Sequence, residues 1–236
     1  MTKIGVLGGM GPAATADFLT KLVQLTPATC DQEHLPVVVA NLPHVPDRSR
    51  AILGQGPSPL VAMCASIDLL VNAGCGVIAV PCNTAHHWYP DFAKYSPIPV
   101  LHIAEVCVAS VASAGTTAIL GTQGCIRSGF YQRTIAAHGG IFYVPDVHSL
   151  QPKIDVCIAA VKGGDLAGGA RHLEPVLRTL VDRGVNAAVL GCTELPLAAL
   201  GCDPSSYSRM TLVDSILELA RASVRYGIDR GWNIPG

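Results

Sequence analysis

Apolar residues fall along the chain in two alternating rhythms. Short apolar runs ended by glycine or proline alternate with longer stretches in which apolar residues recur at three- to four-residue spacing. The first rhythm belongs to strands buried on both faces and the second to amphipathic helices. Residues 3–7 predict a strand that ends in a glycine turn. Residues 14–25 predict a helix with Phe18, Leu22 and Leu25 on one face. Residues 36–40 are β-branched and predict a buried strand. Ser58 reads as an N-cap with Pro59 at the first helical position, and Gly74 closes that helix. Strands follow at 76–80, 117–120, 140–144 and 187–190. Helices follow at 102–114, 128–138, 154–161 and 166–183, and a closing helix at 212–226 carries Leu212, Ile216, Leu219 and Ala220 on one face.

This order of strand and helix implies parallel sheets wrapped by helices, an α/β protein. It also repeats. Gly5-Val-Leu-Gly-Gly9 resembles Ala118-Ile-Leu-Gly-Thr122 at an offset of 113. Val77-Ile-Ala-Val-Pro-Cys82-Asn-Thr84 resembles Ala187-Ala-Val-Leu-Gly-Cys192-Thr-Glu194 at an offset of 110. Two matches in the same order at nearly equal offset predict two duplicated α/β domains. The expected division is residues 1–113 plus 210–236, with the last helix returning to the first half, and residues 114–209.

Composition narrows the function. Half the 236 residues are apolar and 14% are charged, which excludes disorder. Lys plus Arg is 16 against 17 acidic residues, a net charge of -1, so nucleic acid and anionic membranes are not expected partners. Glycines and Pro12 break the first apolar run before a leader's apolar core forms, and a long charge-free stretch, 106–126, reads as helix–turn–strand. The expectation is a cytoplasmic protein. Nine cysteines, an odd count with no Cys-x-x-Cys pair, predict neither a disulfide framework nor a zinc knuckle, and no metal is expected.

Ligands of open α/β sheets sit beyond the carboxyl ends of the strands. Four such ends carry chemistry: residues 8–11, 82–84, 122–124 and 192–194. If the two halves face each other with pseudo-twofold symmetry, Cys82 and Cys192 enter one cleft from opposite sides. One thiolate can then take a proton from one face of a carbon while the other thiol delivers a proton to the opposite face. The carbon is inverted without a cofactor. A thiol pKa of ~8.5, lowered by its surroundings, lets thiol and thiolate coexist near neutrality. The bland alternative for each cysteine is an inert core thiol.

Gly8-Gly-Met-Gly-Pro12, Pro46-Asp-Arg48, Pro81-Cys-Asn-Thr-Ala-His86, Ser128-Gly-Phe-Tyr131 and Gly191-Cys-Thr-Glu194 together resemble the cofactor-independent aspartate/glutamate racemase family, collinearly over nearly the whole chain. The resemblance implies two similar doubly wound parallel-sheet domains with the active site in the cleft between them, catalysis by Cys82 and Cys192, no PLP and no other cofactor, and a homodimer. An acidic amino acid would be the substrate, aspartate first and glutamate next. Its α-carboxylate needs neutral donors, for which Asn83, Thr84 and Ala85 at a helix start, with Thr122 and Thr193, are candidates. Its side-chain carboxylate needs a cation, and Arg48 suits a bidentate grip. Lys162 matches a family lysine implicated in the same recognition; its bland role is that of a helix C-terminal cation. Met10, beside Gly11 in the first glycine turn, reads as an apolar wall. His86 is read either as support for a neighbouring charge or as a helix-surface residue. Asp47 and Glu194 either tune the thiols or simply cap and pair. One departure from the family pattern is Cys125, where threonine is common, and it puts a third thiol near the expected cleft.

Three other readings compete. A dinucleotide loop at Gly5, Gly8 and Gly11 lacks an acidic residue after the second strand, which ends in Asn41. A hydantoin racemase, maleate isomerase or malonate decarboxylase on the same scaffold has less use for Arg48 together with Lys162. A non-catalytic amino-acid-binding protein has less use for two thiols in intact motifs.

Overall fold

The computed structural model describes residues 2–111 and 115–234. The protein is α/β with two parallel sheets, and the chain divides into two compact units, residues 1–106 with 216–236, and residues 107–215. Residues 113 and 114, where the sequence pattern puts the boundary, lie outside the described residues.

The first unit contains β1 (Lys3–Gly8), α1 (Pro12–Leu25), β2 (Val37–Asn41), α2 (Arg48–Ile52), α3 (Leu60–Asn72), β3 (Cys75–Ala79), a 3-10 turn (Thr84–Trp88), α4 (Tyr89–Tyr95) and the start of α5 (Ile103–Val108). Its sheet has the order β2-β1-β3. The second unit contains β4 (Thr116–Gly121), α6 (Gln123–Ser128), α7 (Phe130–Ala137), β5 (Ile141–Tyr143), α8 (Gln151–Lys162), α9 (Leu166–Asp182), β6 (Ala187–Gly191), α10 (Glu194–Ala199) and β7 (Thr211–Asp214). Its sheet has the order β5-β4-β6-β7. The closing helix is α11 (Ser215–Ile228).

The duplication is visible in this topology. β1 and β4 each take a later strand on either side, and all pairings are parallel. Beyond β6 lies β7, and in the same place beyond β3 Val100 bridges Ile78, also in parallel. Leu7, Ile67, Leu70, Ile78 and Phe92 fill the first core, and Leu120, Ile154, Leu173, Leu177 and Leu190 the second. Each such side chain stabilises its unit by ~1.5–3 kcal/mol on burial. Among the described residues no helix is long and apolar enough to cross a membrane.

Three expectations need correction, and one helix is added. β2 is half-buried rather than buried, because it is an edge strand with β1 on one side only. The helix expected over 102–114 ends at Val108, where Ser110 Oγ donates to the Cys107 carbonyl at 2.7 Å; residues 112–114 lie outside the described residues. The helix expected over 128–138 is α7, Phe130–Ala137, and a short helix not expected from the sequence, α6, precedes it. Thr122 caps α6 by accepting from the Cys125 N–H at 3.1 Å, and Gly129, at φ 72°, ends α6 and begins α7. The closing helix starts later than its apolar spacing suggests. Leu212 lies in β7, paired with β6, because Thr211-Leu212-Val213 is β-prone and this sheet edge was open. Ser215 Oγ then donates to the Leu190 carbonyl at 2.8 Å as the chain turns into α11, where Ile216, Leu219 and Ala220 are buried as expected.

Candidate active site

In the first unit the chemistry gathers where β1 and β3 end. After β1 the chain turns at Gly9, whose φ is 85°. Thr15, in the first turns of α1, braces this loop: its Oγ1 accepts the Gly9 N–H at 3.0 Å and donates to the Gly11 carbonyl at 3.1 Å. Met10 is buried in the same apolar cluster as Cys82 and Ala85, part of the first unit's core. After β3, Pro81 stops the strand and Cys82 follows, only 7% exposed. Asn83, Thr84 and Ala85 are buried, but they enter a five-residue 3-10 turn rather than an α-helix.

His86 corrects the helix-surface reading. It is 1% exposed, and the contact of Nδ1 with the Cys82 carbonyl, at 2.9 Å, fixes the turn that carries the thiol. Burial, and then the positive charge of nearby His102, lower its pKa to about 3, so the ring is neutral near pH 7. His87 is exposed.

Arg48 opens α2, which packs against the 3-10 turn after Cys82. Its Nη1 donates to the carbonyls of Val45 at 3.2 Å and Pro46 at 3.1 Å. Its Nε is buried and has no hydrogen-bond partner. A guanidinium fixed at one nitrogen with a second left unmatched is prepared for an added acceptor. Asp47 is the N-cap of α2, accepting the Arg50 N–H at 2.7 Å, so its carboxylate has a capping role.

In the second unit the predicted residues come together on one carboxylate. Cys192 follows β6 and is 8% exposed. Its Sγ–H donates to Glu194 Oε2 at 2.9 Å, and the Thr193 hydroxyl donates to the same oxygen at 3.0 Å. Lys162, at the C-terminus of α8, lies 3.9 Å from Glu194 Oε1 with 60% of its side chain exposed. Such an exposed pair is worth less than ~1 kcal/mol to stability. Burial first, and then the Glu194 carboxylate, push the Cys192 thiol well above its ordinary range, with Lys162 opposing. Thr122 uses its oxygen as the cap of α6. Cys125 is 1% exposed behind that cap, so the third thiol is interior rather than at the site surface.

One contribution escapes the sequence pattern. Thr15 holds the first glycine loop, and its only sequence signal is a hydroxyl in the first turns of a helix that starts at proline. Glu194, expected either to tune a thiol or to cap and pair, gathers Cys192, Thr193 and Lys162. Among the described residues no group of three or more His, Cys, Asp or Glu side chains is arranged to hold a metal ion.

A family described as Asp/Glu/Hydantoin racemase matches residues 7–222. The chain is 26% identical over 226 residues to the broad specificity amino-acid racemase RacX of Bacillus subtilis, covering 94% of this chain and 96% of that protein. It superposes on Picrophilus torridus aspartate racemase with a TM-score of 0.82 and 29% identity, covering 98% of this chain and all of the other. Glutamate racemase of Francisella tularensis shares the fold, at a TM-score of 0.71 and 16% identity over 98% of this chain and 82% of the other.

Proposed function

The chain belongs to the Asp/Glu/Hydantoin racemase family, whose membership supports amino-acid racemization, and on that premise we propose a two-base racemase, independent of PLP and metal, that acts on aspartate first and glutamate next. The observation that carries this reading is the place of the two thiols. Cys82 and Cys192 each follow the corresponding strand of a duplicated sheet, β3 in one unit and β6 in the other. A duplicated thiol suits a reaction that needs one proton acceptor and one proton donor for the two faces of a single stereocentre.

In this mechanism one sulfur takes the proton from Cα, and the electron pair of that bond delocalises into the α-carboxylate. The other sulfur gives its proton to the opposite face. One proton enters and one leaves the substrate, so the protonation states of the sulfurs exchange at each turnover. Backbone N–H groups after Cys82, with Thr122 and Thr193, are assigned to the α-carboxylate. Arg48 and Lys162 are assigned to the side-chain carboxylate, and the unmatched Nε of Arg48 supports that role. A reducing, cytoplasmic setting suits nine cysteines of which none is in a disulfide. Assembly as a homodimer is part of the same proposal, with sedimentation as its measurement. Similarity to RacX over 94% of this chain favours one second reading, broad amino-acid specificity.

The test is circular dichroism of L-aspartate, L-glutamate and several neutral amino acids incubated in D2O, with proton NMR in parallel. Racemization of aspartate ahead of the neutral amino acids is expected; equal rates select the broad reading. Cys82→Ser and Cys192→Ser should each remove most racemization, and each should leave α-hydrogen exchange from one enantiomer only. Equal residual exchange of both enantiomers would contradict the two-face mechanism. Exhaustive dialysis should leave activity intact, and activity lost on dialysis and restored by PLP would end the claim of cofactor independence.

A further inference from the structure

The second thiol is not simply a buried sulfur at a strand end. Its S–H points at a carboxylate oxygen 2.9 Å away, and the same oxygen takes the Thr193 hydroxyl at 3.0 Å. The charged groups that act on Cys192 are Glu194 from its own turn and Lys162 from α8. The same carboxylate also acts on Cys157 of α8. A carboxylate can only accept in this contact, so the hydrogen bond exists only while Cys192 keeps its proton. Losing that proton would put two negative charges at hydrogen-bond distance in a buried site, with Lys162 at 3.9 Å as the compensating cation.

We infer that Glu194 is a positioning residue that keeps Cys192 as the protonated member of the pair, so that the resting enzyme has its donor sulfur in the second unit and its acceptor sulfur at Cys82. This rests on the two-base reading and deepens it by ordering the two thiols. The forward half-reaction from the resting state is then fixed. Cys82 thiolate takes the Cα proton and becomes a thiol. Cys192 gives its proton to the other face and becomes a thiolate, at which point the hydrogen bond to Glu194 is lost and Lys162 bears more of the local charge. The reverse transfer restores the starting state. Besides the substrate carboxylate assigned to it above, Lys162 thus faces Glu194 at rest and the Glu194–Cys192 pair of charges after turnover.

The experiment is alkylation of the full-length protein with iodoacetamide across a pH series, with each cysteine peptide followed by mass spectrometry. It reads thiol ionisation without turnover, so its failure is separable from failure of the racemase reading, which the D2O assay decides. Glu194→Gln keeps an acceptor and removes the charge, so the Cys192 midpoint should fall by about one pH unit or more, a tenfold or larger rise in alkylation below it. Lys162→Met should move the same midpoint upward. Opposite signs from the two variants are not expected of a merely structural role, and far-UV circular dichroism of each variant is the control for folding. A Cys192 midpoint that stays in place in Glu194→Gln, or that moves the same way in both variants, overturns the inference.

Discussion

At the scale of single residues, the two thiols have opposite surroundings although their backbone settings are duplicated. Cys192 faces a carboxylate two positions on, whereas Cys82 has a neutral imidazole four positions on that is bonded to its carbonyl rather than to its sulfur. The neutrality of His86 has a measurable cost in acid. Its folded pKa of about 3 lies below the ordinary value of 6.5. Between those limits the unfolded chain binds a proton that the folded chain refuses, so stability falls as pH drops from about 6.5 toward 3 and is fully retained above. The steepest slope from this one group is about 1.4 kcal/mol per pH unit. Urea unfolding at several pH values should show that slope in the wild type and a shallower one in His86→Gln, whose amide can still donate to the Cys82 carbonyl. Parallel slopes in the two proteins would mean that His86 titrates normally and that the turn carrying the thiol is open to water.

At the scale of elements, the glycine loop after β1 shows how little of a site's rigidity needs a regular structure. A Cβ at Gly9 would lie 2.3 Å from the Leu42 carbonyl oxygen, and the residue sits at φ 85°. Gly9→Ala should therefore destabilise the first unit by at least ~2 kcal/mol in urea melts, from left-handed backbone strain plus a backbone clash. Gly11→Ala, with nothing within 4 Å of its Cβ, should leave stability within ~0.5 kcal/mol. Equal losses at the two positions would show that the loop is not braced as described. The same loop explains what was legible in the sequence. Strand ends at Gly8 and Cys82 were readable because apolar runs stop at glycine and proline. The short helix α6 was not, because six residues are too few for a helical apolar spacing to show. Leu212 was misread for a related reason: a single apolar residue fits a helical face and a strand equally, and only the open edge of β6 decides. The hydrogen bond from Cys192 to Glu194 depends on side-chain direction, which residue order alone does not contain.

At the scale of the whole molecule, the strand orders β2-β1-β3 and β5-β4-β6 make each unit a copy of the other's plan. Duplication explains why the thiols recur at an offset of 110, and the proposed cations, Arg48 and Lys162, recur at a similar offset of 114. Both lie on the first α-helix after the edge strand of their unit, Arg48 at the start of the short α2 after β2 and Lys162 at the end of the longer α8 after β5. If one acidic substrate is served by both units, these two cations share a single carboxylate, and their effects on it cannot be independent. A double-mutant cycle measures this directly. Arg48→Ala and Lys162→Ala should each raise KM for aspartate, by about tenfold or more for Arg48, whose Nε is buried and unmatched, and by less for the exposed Lys162. The double variant should lose less than the product of the two single losses, with a coupling of ~0.5–3 kcal/mol. Racemization of alanine, which has no side-chain carboxylate, should change little in all three variants. The sulfurs obey a stricter rule, since removing either one stops the two-face transfer: Cys82→Ser/Cys192→Ser should be hardly slower in racemization than either single variant. Strict additivity for Arg48 with Lys162 on aspartate would separate the two cations and leave each unit with its own ligand.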